Sequence, residues 1–342
     1  MAAIGVTSSL PEKLRVAFSC LHAPESYRPP VFSPFEVLIG PDCPAPDAGQ
    51  GPSTIKTPAG EYDIAKILAG SSSPRAFDLL VVETDGSRRN LPRNLAALAC
   101  PKVLLLRDTH SADGALATTL HYALSERFDH VVVTQDRRHG HFFRAAGIER
   151  VAWIPGLARP LRFRQPVLPS TRKLCVVTPT GRLHARLRGL VSRLAEARLP
   201  ISIVQADGEI AADVHASSDV ILTCSINGEF DDRILEIIGS GGLVLTDALS
   251  PQAGMDLLFE PGRHLATFRS PEDIVEQVRR LLDRPDEAHA IRLAGQEHLL
   301  AECHPEQRLA QLYAAVFGGE LCASFDLSLD RRAVSAGWRG ID

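Results

Sequence analysis

Residues 219–247 constrain the fold of this chain most, because three structural elements follow one another there without a gap. Asp219–Thr223 is a short apolar run rich in β-branched residues, which predicts a buried strand. After a polar turn at Ser225–Asp232, the segment Arg233–Ile238 begins with charged residues and continues apolar, as expected of a short helix. Leu243–Thr246 then predicts a second buried strand. Buried strands connected through a helix predict a parallel α/β sheet.

The same alternation recurs over the rest of the chain and predicts two similar Rossmann-like α/β domains. Apolar runs predict further strands at Leu14–Ser19, Phe35–Ile39, Asp78–Glu83, Lys102–Leu106, Phe128–Thr134, Val151–Pro155, Lys173–Thr178 and Ile201–Gln205. Helices are predicted at Tyr62–Leu68, Gly114–Arg127, Leu183–Ala197, Ile274–Leu282, Glu287–Cys303 and Glu306–Phe317.

The length of 342 residues is comfortable for two domains. Three prolines within Gly156–Pro169 predict a linker between them. We therefore predict a first domain over residues 1–158, a second over 170–303, and a C-terminal helix and tail over 304–342. Within the first domain, Gly40–Gly60 is rich in Pro, Gly, Asp and Ser and is predicted to be a loop.

Arg233 and Glu236 are three residues apart, so a helix places them on one face near its N-terminus. Backbone N–H groups and the helix dipole favour an anion there. A carboxylate in that position can accept two hydroxyl hydrogen bonds, as from a ribose, while the arginine serves a phosphate. The alternative is an ordinary intrahelical Arg–Glu pair on a solvated face.

Further residues in this block carry a resemblance to a known family. Arg233-x-x-Glu236, the pair Gly241-Gly242, the strand ending in Thr246-Asp247, and Leu258–Gly262 together resemble the C-terminal half of GT-B glycosyltransferases. The likeness is greatest to the bacterial CgeB-like branch called glycosyl transferases group 1. It implies two Rossmann-like domains that face each other across a cleft, with the acceptor in the first and the nucleotide sugar in the second. It also implies that a C-terminal helix crosses back to the first domain.

The resemblance assigns roles to individual side chains. It implies that Glu236 binds the ribose of the donor and that Arg233 lies near its diphosphate. The turn after the strand at Lys173–Thr178 is implied to lie beside the diphosphate, although an exposed arginine-rich helix face would explain its arginines equally well. The further donor-binding candidates are Gly181, Arg182, Arg186, Asp207, Ser225 and Asn227.

Two departures from the family pattern concern the loop before Arg233. Many retaining members have a second glutamate eight residues before the ribose glutamate, where this chain has Gly228, with Glu229 one residue away. The branch often has Asn-x-Arg where this chain has Asp231-Asp232-Arg233. The sequence therefore does not decide between retention and inversion at the sugar carbon.

In the first domain, Asp108 and His110 follow the strand at Lys102–Leu106. Ligands of open α/β sheets bind outside the carboxyl ends of strands, and an acid or imidazole there can deprotonate a hydroxyl nucleophile. The alternative is that Asp108 caps the next helix and His110 packs in the loop. The resemblance favours the catalytic interpretation.

Several functional classes are disfavoured. The first strand is not followed by G-x-G-x-x-G and no P-loop motif occurs, which argues against an NAD-dependent oxidoreductase and a P-loop NTPase. A net charge of -4 and 6% aromatic residues do not favour nucleic-acid binding. We expect a cytoplasmic protein, because no apolar run is long enough to span a bilayer and the odd set of seven cysteines lacks a C-x-x-C pair.

His130, His139 and His141 could suggest a metal site, but they lack a further ligand at a defined spacing, so we predict none. The leading hypothesis is a metal-independent glycosyltransferase without a cofactor, acting on a UDP- or GDP-sugar and a glycan, protein or small-molecule acceptor. The alternative is a catalytically inactive GT-B-like module that binds a nucleotide or glycan, or scaffolds a partner.

Overall fold

The computed structural model describes residues 14–22, 35–44, 53–70, 77–109, 112–157, 161–318, 321 and 325–327. The chain divides into two compact units. The first comprises Met1–Arg159 with Glu306–Asp342, and the second comprises Pro160–Pro305. None of the helices in these described ranges is long and apolar enough to cross a membrane.

The strands in the described ranges, in chain order, are β1 Val16–Ser19, β2 Phe35–Gly40, β3 Ser53–Lys56, β4 Gly60–Asp63, β5 Leu79–Thr84, β6 Asn90–Arg93, β7 Lys102–Leu106, β8 His130–Val133, β9 Val151–Trp153, β10 Arg172–Thr178, β11 Ile201–Gln205, β12 Ser218–Leu222, β13 Val244–Asp247 and β14 Ala266–Phe268. The α-helices are α1 Ile64–Ala69, α2 Ala115–Ser125, α3 Gly140–Ala145, α4 Ala185–Glu196, α5 Gly208–Ala216, α6 Arg233–Gly239, α7 Met255–Leu258, α8 Pro271–Asp283, α9 Pro285–Glu302 and α10 Pro305–Phe317.

The first unit is built on a parallel sheet of seven strands in the order β3-β2-β1-β5-β7-β8-β9. Its central strands β5 and β7 are almost entirely buried and mainly apolar, as expected where helices cover both faces of a parallel sheet. Helix α10 contributes to this core, because Leu312, Tyr313 and Val316 pack with residues of β1, β5 and β7. The last described helix of the chain thus completes the core of the first unit.

The second unit contains a parallel sheet of five strands in the order β11-β10-β12-β13-β14. Leucines of α4 pack with Ile274, Val278 and Leu281 of α8 against this sheet. Strand β10 is the first strand of this sheet in chain order, but it lies between β11 and β12. The chain therefore continues to β11 on one side of β10 and later to β12 on its other side. This reversal is a topological switch point, where open α/β sheets bind ligands beyond the carboxyl ends of the strands.

The α/β prediction with parallel sheets is confirmed, and the differences in detail have local causes. The predicted loop Gly40–Gly60 contains β3, which pairs in parallel with β2 at the edge of the sheet. Helix α1 begins at Ile64 rather than Tyr62, because the Asp63 side chain caps it by accepting a hydrogen bond from the Lys66 backbone N–H at 3.1 Å. Helix α4 begins at Ala185, two residues later than predicted.

Candidate functional site

The switch point of the second unit brings together the turn after β10 and the loop after β12. These two strands are neighbours and run in parallel, so their carboxyl ends lie at the same edge of the sheet. Both segments contain residues predicted to bind a nucleotide sugar. This edge is therefore the candidate site, and it is described from the turn outward.

The turn after β10 is braced by its own hydroxyl groups. Thr178 Oγ1 donates to the Arg182 carbonyl at 3.1 Å, and Thr180 Oγ1 accepts from the Arg182 backbone N–H at 3.3 Å. Gly181 has a φ of 70°, and a Cβ there would lie 3.0 Å from Gln205 Oε1, so glycine suits both the backbone and the space. Arg182 and Arg186 are four residues apart in the sequence, but Arg182 lies in this exposed turn before α4, so the two do not share a helical face.

Arg186 lies in the first turn of α4 and is anchored through one nitrogen. Its Nη1 donates to the Ser225 carbonyl at 3.1 Å and to Ser225 Oγ at 2.6 Å, and it lies 2.8 Å from Asp247 Oδ2. Among the described residues, Nε and Nη2 have no partner, and 45% of the side chain is exposed. One edge of the guanidinium is held and the other faces outward.

Asp247, at the end of β13, is the buried centre of this network and was not predicted as a site residue. Its Oδ1 accepts from the Ser225 backbone N–H at 2.9 Å and from Thr246 Oγ1 at 3.2 Å, and its Oδ2 accepts from Ser225 Oγ at 2.6 Å. The single hydroxyl proton of Ser225 is therefore directed at Asp247. In this arrangement Ser225 supports Arg186 instead of offering a donor to a ligand.

The loop after β12 is closed by a buried glutamate. Glu229 Oε1 accepts from the Ile226 backbone N–H at 2.8 Å, and Oε2 accepts from the Asn227 backbone N–H at 2.6 Å. Gly228, at the position where the resemblance would place a second glutamate, donates its N–H to Ser225 Oγ at 3.1 Å. The carboxylate nearest to the family position thus shapes the loop, and the side chain of Asn227 is exposed.

Arg233 begins α6 and is paired with Asp231. The Asp231 carboxylate accepts from the Arg233 backbone N–H at 2.9 Å and from Nε at 2.8 Å, and Nη2 lies 2.6 Å from Oδ2. The charge of Asp231 raises the pKa of the guanidinium above its ordinary value. The same carboxylate therefore caps the helix and occupies the Nε–Nη2 edge of Arg233.

Glu236 lies one turn into α6 with a half-buried side chain. Its backbone N–H donates to the Asp232 carbonyl at 3.1 Å, so α6 is regular at this point. Asp207 occupies the position before α5, where it is exposed and its side chain makes no capping bond. The two candidates differ in that only Glu236 is partly enclosed by the fold.

The charges of Arg186 and Arg233 affect the pKa of His184, the residue before α4. Burial lowers the pKa of its imidazole, and the positive charges of Arg233 and then Arg186 lower it further. Its Nε2 lies 3.7 Å from Cys224 Sγ, and burial, with the charge of Asp247, raises the pKa of that thiol to about 12. Cys224 is therefore a protonated, unreactive thiol at neutral pH.

In the first unit, the carboxyl end of β7 leads to Asp108, whose side chain is half-buried, whereas His110 lies outside the described residues. Helix α2 begins at Ala115 with Gly114 in the capping position, so the alternative in which Asp108 caps it is wrong. The neighbouring Thr109 makes a contact that the sequence did not predict: its Oγ1 lies 2.6 Å from His139 Nδ1.

The histidines that suggested a metal each have other partners. His139 Nε2 lies 3.6 Å from Asp136 Oδ2, His130 Nε2 lies 3.4 Å from Arg150 Nη1, and His141 Nδ1 contacts the Arg138 carbonyl. Burial acts to raise the pKa of Asp136, but hydrogen bonds from Arg138 and the nearby His139 hold it below its ordinary value. Within the described ranges, His, Cys, Asp and Glu form no group of three or more suited to a metal.

Comparisons with known proteins bear on the family resemblance and the fold. Residues 192–314 match the sequence model of a family described as glycosyl transferase-like. No curated protein sequence matches the chain.

Among solved structures, Anabaena HepE in complex with UDP and glucose has a TM-score of 0.61 at 14% identity, with 88% of this chain and 100% of that chain covered. Sucrose-phosphate synthase from Thermosynechococcus elongatus has a TM-score of 0.58 at 13% identity, with 90% and 100% covered. A mutant of S. aureus TarM in complex with fondaparinux, alpha-GlcNAc-glycerol and UDP has a TM-score of 0.51 at 10% identity, with 70% and 55% covered. At these identities the likeness establishes the fold. The chain has the GT-B fold of glycosyltransferases, built from two Rossmann-like units, and its residues 192–314 are similar to a glycosyl transferase-like family.

Proposed function

We propose that the protein is a glycosyltransferase that moves a sugar from a nucleotide-diphosphate donor to a hydroxyl-type acceptor. The observation that carries this proposal is the outward edge of the Arg186 guanidinium at the switch point of the second unit. A planar pair of N–H donors suits an oxyanion of a diphosphate. The turn containing Gly181 and Arg182 and the arginine of α6 surround the same edge of the sheet.

During sugar transfer, the protein must stabilise the negative charge that develops on the departing diphosphate. Fixed cations and backbone dipoles achieve this when they are already oriented before the reaction. Arg186 and Arg233 supply two such cations in this unit, which supports a metal-independent transfer. Glu236 would bind the ribose hydroxyls, while Asp207 and Asn227 lie on the two loops that border the nucleotide.

The donor is proposed to be a UDP- or GDP-sugar. Anabaena HepE, which shares the fold, forms complexes with UDP and glucose and with UDP-glucose, and this favours UDP as the first donor to test. The acceptor is proposed to be a glycan, protein or small molecule bound by the first unit. If the reaction inverts the sugar carbon, Asp108 or His110 would accept the proton of the acceptor hydroxyl.

The ribose assignment is testable through the hydroxyl groups themselves. Wild-type protein should bind UDP about tenfold (~1.4 kcal/mol) more tightly than 2′-deoxy-UDP, since one hydroxyl bond to Glu236 is lost. Glu236→Ala should bind UDP at least about tenfold more weakly and should no longer distinguish the two nucleotides. Isothermal titration calorimetry measures both affinities.

The matched control is Glu276→Ala, which removes an exposed glutamate from α8 and should leave both affinities unchanged. Unchanged discrimination in Glu236→Ala would overturn the ribose assignment. If GDP binds and UDP does not, the same comparison is made with GDP and 2′-deoxy-GDP.

A catalytically inactive nucleotide-binding or scaffolding module is the second candidate. It is favoured by one observation: Glu229, the acid nearest to the second family glutamate, has both carboxylate oxygens engaged by the backbone of its own loop. Hydrolysis of a panel of UDP- and GDP-sugars separates the two. Turnover of any donor above the rate without protein supports the enzyme, and tight nucleotide binding without turnover on any donor or acceptor supports the module.

A further inference from the structure

We propose that Asp247 is a positioning residue that holds Arg186 ready for the donor diphosphate, an inference that rests on the proposed function. Neither the sequence nor the family resemblance gave Asp247 a role. It lies at the end of β13, with 4% of its side chain exposed, and joins β12 and α4 through Ser225 and Arg186. Buried carboxylates are retained where partners satisfy them, and this one has partners on three separate segments.

The geometry of Arg186 shows what the contact does. All of its acceptors meet the same nitrogen, Nη1, so the anchor uses one corner of the guanidinium. The group is planar, and its Nε–H and Nη2–H bonds point the same way, which matches two oxygens of a phosphate. The contacts at Nη1 therefore orient the Nε–Nη2 edge and leave its donors open for a ligand. A lysine in this position could keep the charge, but its tetrahedral ammonium cannot present two parallel, coplanar donors to a phosphate.

Asp247 controls this anchor more than Ser225 does. The Ser225 carbonyl and hydroxyl contact Arg186, but the N–H and O–H of Ser225 both donate to Asp247. The position of Ser225 thus depends on the carboxylate behind it. The hydroxyl of Ser225 is a short link between Asp247 and Arg186, and removing the carboxylate would release both.

Two effects of Asp247 on an anionic ligand oppose each other. Its negative charge offsets that of Arg186, which disfavours the ligand, and its hydrogen bonds orient the guanidinium, which favours it. Arg186 is 45% exposed, so water screens the charge effect. Orientation acts through direct contacts that solvent does not screen. We therefore expect the loss of Asp247 to weaken diphosphate binding.

The principal test is Asp247→Asn, titrated with UDP by calorimetry, with GDP as the second probe. The asparagine can keep its oxygen toward the Ser225 N–H, but its NH₂ group then faces the Ser225 hydroxyl and Arg186 Nη1, which is also a donor. UDP affinity should fall about tenfold, or ~1.4 kcal/mol. The matched control is Asp219→Asn, which removes an ion-paired aspartate of β12 whose partner is Lys173, and it should leave UDP affinity unchanged.

A double-mutant cycle separates positioning from a purely structural role. If Asp247 acts through Arg186, Asp247→Asn should weaken UDP binding in the wild-type background and have no effect in an Arg186→Ala background. A structural role would give the same loss in both backgrounds. Arg186→Lys should bind UDP almost as weakly as Arg186→Ala, because the anchored fork is lost even though the charge is kept.

The outcomes distinguish this inference from the proposed function. If the wild-type protein binds neither UDP nor GDP, the proposed function fails, and the inference fails with it. Two results overturn only the inference. One is that Asp247→Asn binds UDP at least as tightly as wild type, and the other is that the substitution weakens UDP binding equally in the wild-type and Arg186→Ala backgrounds. If Asp247→Asn does not fold, Ser225→Ala decides: it removes the hydroxyl between Asp247 and Arg186 but keeps their direct 2.8 Å contact, so UDP binding should weaken only about threefold, whereas unchanged affinity refutes the anchor.

Discussion

Arg186 and Arg233 are both predicted to serve the diphosphate, yet the second unit holds them in opposite ways. Arg186 is anchored at Nη1 by Ser225 and Asp247, and its Nε–Nη2 edge has no partner among the described residues. Arg233 has that same edge occupied by Asp231. The two cations carry equal charge, but the Nε–Nη2 edge is open in Arg186 and occupied by Asp231 in Arg233.

From this difference we expect phosphate binding to depend more on which edge of the guanidinium is open than on its charge. Asp231 also accepts the backbone N–H of Arg233, so this pair fixes the start of α6 and the loop before it. We therefore expect Arg233 to contribute charge at a distance and to keep the loop in place. Arg186 is the residue suited to direct contact with a phosphate.

The largest expected effect is on nucleotide affinity. Arg186→Ala should weaken UDP binding about 100-fold (~2.7 kcal/mol), since it removes a bidentate charge-assisted contact. Arg233→Ala should weaken it less than about tenfold, since Asp231 already occupies the Nε–Nη2 edge of Arg233. Calorimetric titration of both variants measures the ratio.

Arg193→Ala is the control for these variants, because it removes an arginine from the last turn of the same helix as Arg186 and should not change UDP affinity. Equal losses in Arg186→Ala and Arg233→Ala would remove the distinction between the two sites. A larger loss in Arg233→Ala would reverse it.

For folding stability, we expect Arg233→Ala to have a larger effect than Arg186→Ala, the reverse of the order for UDP affinity. Arg233→Ala should lower the free energy of unfolding by about 1–2 kcal/mol, because the Asp231 carboxylate loses its ion pair with the guanidinium. Arg186→Ala should cost less than about 1 kcal/mol, since Asp247 keeps its donors from Ser225 and Thr246. Urea denaturation of the two variants gives both values, and both residues lie in the same unit. A greater loss for Arg186→Ala would show that its anchor serves folding.

The elements around the site could be predicted from sequence because their signals are local. Helix α6 was predicted at Arg233–Ile238 and is observed at Arg233–Gly239, between an acidic turn and a run of glycines that mark its ends. Strand β13 was predicted within one residue at each end. Each boundary depends on residues that adjoin it in the chain.

The missed features depend on residues that are distant in the chain. Strands β4 and β6 form a separate pair in parallel, and neither has a long apolar run that would mark it. Asp247 belongs to the Thr246-Asp247 motif, but the sequence does not connect it with Arg186, because the packing of α4 on the sheet brings the two together. The choice of Asp231 over Glu236 as the ion-pair partner of Arg233 likewise depends on the loop conformation, which spacing along a helix does not reveal.

The smallest effect concerns His184, which senses both arginines. Its pKa is lowered by burial and then by Arg233 and Arg186, in that order. In Arg233→Ala the pKa should rise more than in Arg186→Ala, and NMR titration of the imidazole measures each value. The unfolded chain takes up this proton near its ordinary pKa of about 6.5, above the folded value. His184 therefore contributes stability at neutral pH that is lost as the pH falls below that point, and the loss should diminish in both variants.

A larger rise in the pKa of His184 in Arg186→Ala than in Arg233→Ala would contradict this order. It would mean that the outward-facing guanidinium dominates the local field, so the two sites would differ in charge as well as in geometry.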